Sequence, residues 1–209
     1  MKTHTYRGAD VTFGEIANRG GSGAPDCKSL HGLVDFCIDN VKPEHTVLEL
    51  GTFQCASTSI FIQFAKKVMT VDVNSPKDDF ADAIDKSAEN YGSEVHFYQC
   101  SSLDFVDFYV NEHENNLNYD VLYIDTVHTE AHCTKELESF VPFCNSSPKI
   151  IAGHDYPMKG IESALNKFFK NNPEMINTTD FGKNIKAMMA LRMDKEGKMF
   201  SRIMPDDYY

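Results

Sequence analysis

The sequence lacks the features that mark membrane-spanning, secreted and nucleic-acid-binding proteins. No apolar run approaches the roughly 18 residues of a membrane span, and the N-terminal stretch MKTHTYRGAD lacks the apolar core of a secretory signal. The six cysteines include no CxxC pair, so we expect reduced, mostly buried thiols and a cytoplasmic location. A net charge of −11 at pH 7 disfavours binding to nucleic-acid phosphates and to anionic membranes. The expected partner is therefore a small molecule, and a homo-oligomeric state stays open.

The 209 residues suit one domain, because no long polar linker or internal repeat divides them. Residues 1–26 have few apolar positions and carry a GGSG stretch at 20–23, which predicts an N-terminal arm or lid. A disordered tail is the alternative interpretation of this segment. Residues 27–209 are then expected to form the single folded domain.

Short apolar segments alternate with amphipathic ones, which predicts a parallel sheet with helices packed against it. The predicted strands are 46–50, 68–73, 94–99, 119–125 and 149–152, and a pair of closing strands is predicted at 175–179 and 185–193. The predicted helices are 26–41, 57–66, 78–91, 130–140 and 160–169, with one more beginning after Ser101 or Ser102. Ligands of such sheets bind at the carboxyl ends of the strands, so the residues that follow each strand form the candidate site.

The stretch VLELGTFQCAST, residues 47–58, predicts a buried strand, a glycine turn and a helix start. Gly51 makes the turn, and Ser57 or Thr58 is expected to cap the helix. Three glycines are needed at such a turn to bind a dinucleotide, but here only the first is present, and the side chain of Phe53 would crowd a pyrophosphate. Glu49, just before the turn, suits a ligand with an ammonium group. This favours S-adenosylmethionine over NAD, and an ordinary buried strand and turn is the alternative.

Two further strand ends offer polar groups to the same ligand. Asp72 follows the glycine turn by about 20 residues, the spacing at which an acid accepts hydrogen bonds from ribose hydroxyls. An exposed strand-end aspartate without a ligand is the alternative. Ser101 and Ser102 follow the third strand, where an adenine edge could meet them, although helix capping explains both serines equally well.

Acids and histidines follow both the fourth and the fifth predicted strand. Asp125 and His128 follow one strand, and His154 and Asp155 follow the other. Because adjacent strands end at the same edge of the sheet, we expect the two carboxylates to converge within reach of one metal ion. Either histidine has an ordinary pKa suited to a general base, and a structural role beside a carboxylate is the alternative for each. We expect His132, on the next helix, to occupy an exposed position.

Four stretches, in this order and spacing, resemble class I S-adenosylmethionine-dependent methyltransferases. They are ELGTFQCAST, the acid of VMTVDV, YIDTVHTEAH and IIAGHDYPMKGIESAL. The resemblance covers roughly residues 45–193 and is closest to a branch with IDxxH and GHDY motifs, which is similar to metal-dependent macrolide-sugar O-methyltransferases and cephalosporin-hydroxylase-like proteins. It implies a Rossmann-like α/β fold, with a seven-stranded, mostly parallel sheet, helices on both faces and an antiparallel last strand.

The resemblance also implies roles for individual residues. Cofactor binding is implied for Glu49, Gly51, Thr52, Phe53, Ser57, Asp72, Val73, Ser101, Ser102, Leu103 and Asp125. Among them, Glu49 and Gly51 would meet the methionine part of the cofactor, Asp72 the ribose, and Ser101, Ser102 and Leu103 the adenine. Ligation of magnesium or manganese is implied for Asp125, His154 and Asp155. From their chemistry, we expect His128, His154 and Asp125 to take part in catalysis.

Two departures from the family pattern affect these expectations. Cys55 stands where the family usually has a further glycine, and His154 stands where relatives often have a glutamate. Imidazole is a poor ligand for magnesium and a better one for manganese, iron or zinc. The leading hypothesis is O-methylation of a small polar, sugar-like acceptor with S-adenosylmethionine. A hydroxylase-like or other enzyme of the same fold, and a protein that binds the cofactor without catalysis, are the alternatives.

Overall fold

A central sheet of five parallel strands is the core of the computed structural model, which describes residues 2–6, 8–13, 27–112, 117–146, 150–155 and 158–172. The strands are β1 (Lys2–Tyr6), β2 (Ala9–Phe13), β3 (Thr46–Leu50), β4 (Lys67–Asp72), β5 (Glu94–Gln99), β6 (Val121–Ile124) and β7 (Ile150–Gly153). The α-helices are α1 (Cys27–Asn40), α2 (Thr58–Phe61), α3 (Asp78–Tyr91), α4 (Ser102–Glu112), α5 (Glu130–Phe140) and α6 (Lys159–Asn171). A short 3₁₀ turn, Val141–Phe143, follows α5.

The strand order of the central sheet is β5-β4-β3-β6-β7, and all four pairings are parallel. The chain runs outward from β3 to β5 and then returns to the other side of β3 as β6. The order of the strands therefore reverses between β3 and β6, and a ligand crevice is expected at their carboxyl ends.

Helices cover both faces of this sheet, which explains why its central strands read as continuous apolar runs. Residues of α1, α2 and α3 form one buried cluster, and residues of α4, α5 and α6 form the other. Within β3, Val47 belongs to the first cluster, whereas Leu48 and Leu50 belong to the second. Among the described residues, no helix is both long and apolar enough to cross a membrane.

The segment predicted as helix 57–66 is helical over only one turn, Thr58–Phe61. Beyond it the chain continues in tight turns, with the backbone N–H of Gln63 bonded to the carbonyl of Ile60 and that of Phe64 bonded to the carbonyl of Phe61. Three β-branched residues, at 58, 60 and 62, lower the helix propensity of this segment. The spacing of the apolar residues indicates which side of segment 57–66 is buried, but it does not determine the hydrogen-bond pattern of the segment.

Residues 2–13, within the expected N-terminal arm, contain an antiparallel hairpin of β1 and β2. Val11 is fully buried in the cluster that includes α1 and α2. The Gln63 side chain bonds both backbone groups of Thr12, accepting from its N–H at 2.8 Å and donating to its carbonyl at 2.9 Å. The hairpin is thus attached to the domain, while the hinge predicted at 20–23 and the two closing strands predicted at 175–179 and 185–193 lie outside the described residues.

Candidate active site

A cavity of about 290 Å³ lies where β3, β4 and β6 end. Its wall consists of residues 51–54, 56–57, 71–73, 100–102, 125–128 and 132. The wall includes nine of the predicted cofactor-binding residues, which are Gly51, Thr52, Phe53, Ser57, Asp72, Val73, Ser101, Ser102 and Asp125. Glu49 and Leu103 are not part of it. The cavity therefore occupies the crevice that the strand order predicts.

Gly51 is required at the turn because β3 and β6 approach closely there. Its φ is +99°, and a Cβ atom at this position would lie 1.9 Å from the carbonyl oxygen of Asp125. The N–H of Gly51 donates to the carbonyl of Val71 at 2.8 Å, and the N–H of Asp125 donates to that of Leu50 at 2.8 Å. The backbones of β3, β4 and β6 thus contact one another directly at this end of the cavity, with no side chain between them.

Two residues of the turn adopt left-handed conformations although neither is glycine. The φ angles are +43° at Phe53 and +60° at Cys55, each of which costs an L-residue about 1 kcal/mol or more. The Asp72 carboxylate opposes this cost, because its Oδ2 accepts the N–H groups of Thr52 at 3.0 Å and of Phe53 at 2.9 Å. Cys55 therefore adopts a conformation that favours glycine, and Asp72 holds the preceding backbone of the turn in place.

Glu49 lies behind the cavity wall and is fully buried. Its carboxylate accepts hydrogen bonds from the hydroxyls of Ser57, of Thr58 at 2.6 Å and of Thr70 at 2.6 Å. Burial raises the pKa of Glu49 to about 7, and the three hydroxyl bonds limit the rise. The expected cap at Ser57 or Thr58 is wrong, since Ser57 makes no capping bond and both hydroxyls serve Glu49 instead.

The two serines after β5 have different partners. The Ser101 hydroxyl accepts the N–H of Asp104 at 3.1 Å and donates to the Asp104 carboxylate at 2.6 Å, which is a helix-capping arrangement at the start of α4. Ser102 instead donates to Glu136 on α5 at 2.6 Å. Both still line the cavity, so capping and ligand contact are compatible for Ser101.

The acids and histidines that follow β6 and β7 are brought together as the strand ends predicted. One ligand atom each from Asp125, His154 and Asp155 lies within 4.8 Å of the others. His154 Nδ1 lies 2.9 Å from Asp155 Oδ1 and 3.9 Å from Asp125 Oδ1. His128 Nε2 lies 3.0 Å from Asp155 Oδ2 and 3.5 Å from Asp125 Oδ1, but it is buried and not aligned for a hydrogen bond to either. Four groups therefore converge at one edge of the cavity.

The charges of this cluster shift the pKa values of its members. A side-chain contact with Asp125 raises the pKa of His128, together with the charge of Asp155 and against the effect of burial. Burial alone would raise the pKa of Asp155, but the hydrogen bond from His154 and the charges of both histidines lower it below its ordinary value. Negative carboxylates beside protonatable imidazoles thus stabilise one another electrostatically.

The sequence analysis missed a second polar group at the cavity, centred on the fully buried Glu136. This carboxylate accepts from Ser102, from the Thr126 hydroxyl at 2.8 Å and from His132 Nε2 at 3.1 Å. The expectation that His132 is an exposed helix residue is wrong, because its ring lines the cavity and only 24% of the side chain is accessible. Two signals in the sequence indicate this group. His132 and Glu136 are one helical turn apart, and Glu136 is next to the inward-facing Leu137.

The fold is similar to that of Rossmann-like methyltransferase domains. An O-methyltransferase from Bacillus cereus, solved with S-adenosylhomocysteine, is similar at a TM-score of 0.53 and 15% identity, over 77% of this chain and 74% of that one. A putative S-adenosylmethionine-dependent methyltransferase from Streptococcus mutans is similar at a TM-score of 0.51 and 14% identity, over 66% of this chain and 38% of that one. These similarities confirm the predicted fold.

The family profile for rhamnosyl O-methyltransferase/CmcI matches residues 33–208, and the chain belongs to that family. A comparison with curated proteins found no match. Membership of this family, on this fold, makes the protein an S-adenosylmethionine-dependent methyltransferase, as the sequence motifs indicated.

Proposed function

We propose that the protein transfers a methyl group from S-adenosylmethionine to a hydroxyl of a small, sugar-like acceptor, with a divalent metal held by Asp125, His154 and Asp155. The observation that carries this proposal is the convergence of the three ligand atoms within 4.8 Å beside the cavity. Asp125 belongs to both features, because it lines the cavity as well. A metal at this position would hold an acceptor hydroxyl next to the cofactor.

The polar groups of the cavity fit S-adenosylmethionine. Gly51 lines the cavity at the turn where the methionine part would lie, and the space of a Cβ there is taken by the Asp125 backbone. Asp72 lies in the wall at the end of β4, as a ribose-binding acid should. Ser101 and Ser102, which follow β5, also line the cavity, and the resemblance implies that the adenine lies beside them. When bound, the cofactor supplies a methyl group on a sulfonium, which a nearby oxygen can attack in line.

The donor set fits a divalent metal, and manganese better than magnesium. Two carboxylates and one imidazole supply the ligand atoms, and among the described residues the ion pairs of both carboxylates are with histidines. Magnesium prefers oxygen ligands alone, whereas manganese, iron and zinc accept imidazole. The metal, when bound, lowers the pKa of a coordinated hydroxyl.

We propose different roles for the two histidines because they lie in different positions. His128 lines the main cavity, so its imidazole is the candidate to take up the proton of an acceptor hydroxyl bound there. His154 lies instead beside a smaller space between β6, β7, α5 and α6, with Nδ1 directed at the two carboxylates. We therefore assign His128 as the general base and His154 as a metal ligand.

Metal removal and single substitutions test this assignment. Asp155→Asn should abolish metal-dependent methyl transfer and leave the affinity for S-adenosylhomocysteine unchanged, because Asp155 is not part of the cavity wall. His154→Ala should lower manganese affinity by about 10-fold or more. His128→Ala should keep manganese affinity while the rate falls by roughly 10²–10⁴. His96→Ala, at an exposed histidine of β5, is the matched control.

Labelled S-adenosylmethionine and a panel of sugars and small hydroxylated metabolites provide the activity readout. Full activity of the wild-type protein in excess chelator would refute the metal. Iron in the purified protein together with an absence of methyl transfer would instead favour the hydroxylase-like alternative, for which the imidazole in the donor set is the supporting observation.

We also propose a cytoplasmic location and a small-molecule partner. The five cysteines whose side chains the structure describes are free, at positions 37, 55, 100, 133 and 144. Burial raises the pKa of Cys37 well above its ordinary value, which keeps this thiol protonated and unreactive. Free, buried thiols suit a reducing compartment. Fractionation of cells that express the tagged protein would test the location.

A further inference from the structure

Glu136 is a fully buried carboxylate that touches the cavity only through other residues. Its three hydrogen-bond donors come from three separate elements, Ser102 at the start of α4, Thr126 after β6 and His132 in the first turn of α5. All three of these residues line the cavity, whereas Glu136 does not. A single carboxylate therefore fixes one wall of the cavity from behind.

The hydrogen bonds around His132 determine which ring nitrogen carries the proton. Nε2 lies 3.1 Å from Glu136 Oε1 and 3.3 Å from the Ser102 hydroxyl oxygen. The Ser102 hydrogen is directed to Glu136 at 2.6 Å, so both neighbours of Nε2 are acceptors. In the neutral ring the proton must then be on Nε2, which leaves Nδ1 as an acceptor. Nδ1 forms no hydrogen bond with any described residue.

The wall that contains His132 is the one expected to meet the nucleobase. The resemblance implies that Ser102, which shares Glu136 with His132, lies near the adenine, and Thr126 is the third residue held by the same carboxylate. An acceptor in this wall matches the 6-amino group of adenine, which is a donor. Hypoxanthine carries an oxygen at that position, so two acceptors would face each other and one would lose its partner.

We propose that His132 reads the 6-amino group of the cofactor's adenine through Nδ1, and that Glu136 is the positioning residue that sets its tautomer and orientation. The proposal depends on the cofactor being S-adenosylmethionine, as argued above. His132 would thus contribute directly to specificity for the adenine nucleobase, and Glu136 would contribute indirectly by positioning His132. Neither residue takes part in the transfer of the methyl group.

Calorimetric titration with S-adenosylhomocysteine and with S-inosylhomocysteine, its deaminated analogue, tests the proposal without any measurement of activity. The wild-type protein should prefer the adenosyl compound by roughly 10- to 100-fold. His132→Phe should reduce this preference to within about 3-fold, mainly by weakening the adenosyl compound. Glu136→Gln should also reduce it, because an amide can donate to Nε2 and shift the proton to Nδ1. A merely structural role would lower both affinities equally and leave their ratio unchanged.

Glu138→Gln is the matched control, since it removes the same charge from an exposed position of the same helix and should leave the ratio unchanged. The imidazole nitrogen shifts of His132, measured by ¹⁵N NMR, should show the Nε2–H tautomer in the wild-type protein and its loss in Glu136→Gln. If Glu136→Gln does not fold, His132→Phe and the wild-type spectrum still decide the question. A ratio that persists in His132→Phe, or an Nδ1–H tautomer in the wild type, would overturn the inference. No binding of S-adenosylhomocysteine would instead overturn the cofactor assignment, and this inference with it.

Discussion

Replacing Glu49 with glutamine is expected to make the stability of the protein less sensitive to pH. Glu49 has no exposed surface, and its donors are the hydroxyls of Ser57, Thr58 and Thr70. Burial raises its pKa from 4.5 to about 7, although the three hydroxyl bonds act in the opposite direction. The folded protein therefore binds a proton at this site more tightly than the unfolded chain does.

The sign follows from this difference in proton affinity. As the pH rises from 4.5 to about 7, the unfolded chain loses its proton first, so the free energy of unfolding falls over this range. Below this pH range Glu49 is protonated in both the folded and the unfolded state. Above it Glu49 is ionised in both states, and the full loss of stability is present. Each tenfold change in proton affinity corresponds to about 1.4 kcal/mol, which makes the total loss roughly 3 kcal/mol. Glutamine cannot ionise, so this component should disappear in Glu49→Gln.

Urea unfolding of both proteins at pH 5 and pH 8 measures the effect. The contributions of all other titrating groups cancel when the free energy of unfolding of the wild type is subtracted from that of the variant. This difference should shift in favour of the variant by roughly 2–3 kcal/mol between pH 5 and pH 8. Glu138→Gln, on an exposed face of α5, measures the effect of losing one negative charge at the surface. A difference that stays constant with pH would show that Glu49 ionises at its ordinary pKa in the folded protein, and the argument from burial would fail.

Three further substitutions test other parts of the site. Gly51→Ala should prevent folding or cofactor binding, because its Cβ would lie 1.9 Å from the Asp125 carbonyl oxygen; a folded variant with normal affinity for S-adenosylhomocysteine would contradict this. Asp72→Ala should weaken that affinity by roughly 10- to 100-fold in calorimetry, and unchanged affinity with an intact fold would remove the ribose assignment. Tyr123→Phe should change the free energy of unfolding by less than about 1 kcal/mol, because the buried hydroxyl has no hydrogen-bond partner among the described residues. A loss well above that in chemical unfolding would reveal a partner.

The central strands and the long helices could be predicted from the sequence because their signals are local. Helix 78–91 and strand 94–99 coincide with α3 and β5, where periodic apolar residues and flanking turn residues agree. The cluster of Asp125, His154 and Asp155 could also be predicted, since parallel neighbours end at the same edge of a sheet. In both cases the spacing of residues along the chain was sufficient to predict the structure.

The partners of buried polar groups could not be predicted in the same way. Ser57 was expected to cap a helix, but a carboxylate eight residues earlier takes its hydroxyl, and only the folded sheet brings the two together. Glu136 bonds Ser102, which is 34 positions away in the chain. The Gln63 side chain bonds the β1–β2 hairpin to the domain at Thr12, from which it is 51 positions away in the chain. Contacts of this kind are determined by packing, and no local pattern specifies them.

Three backbone N–H groups hold the Asp72 carboxylate in place, and this affects how tightly and for how long a ligand can be bound there. Its Oδ2 accepts the N–H groups of Thr52 and Phe53, and its Oδ1 accepts that of Asn74 at 2.9 Å. The carboxylate is therefore immobilised when the protein folds, and its remaining lone pairs already have fixed directions before any ligand arrives. Such preorganisation removes the rotational entropy of this side chain from the free energy of association. If Asp72 binds the ribose as proposed, affinity gained in this way should appear mainly as a longer residence time of the ligand.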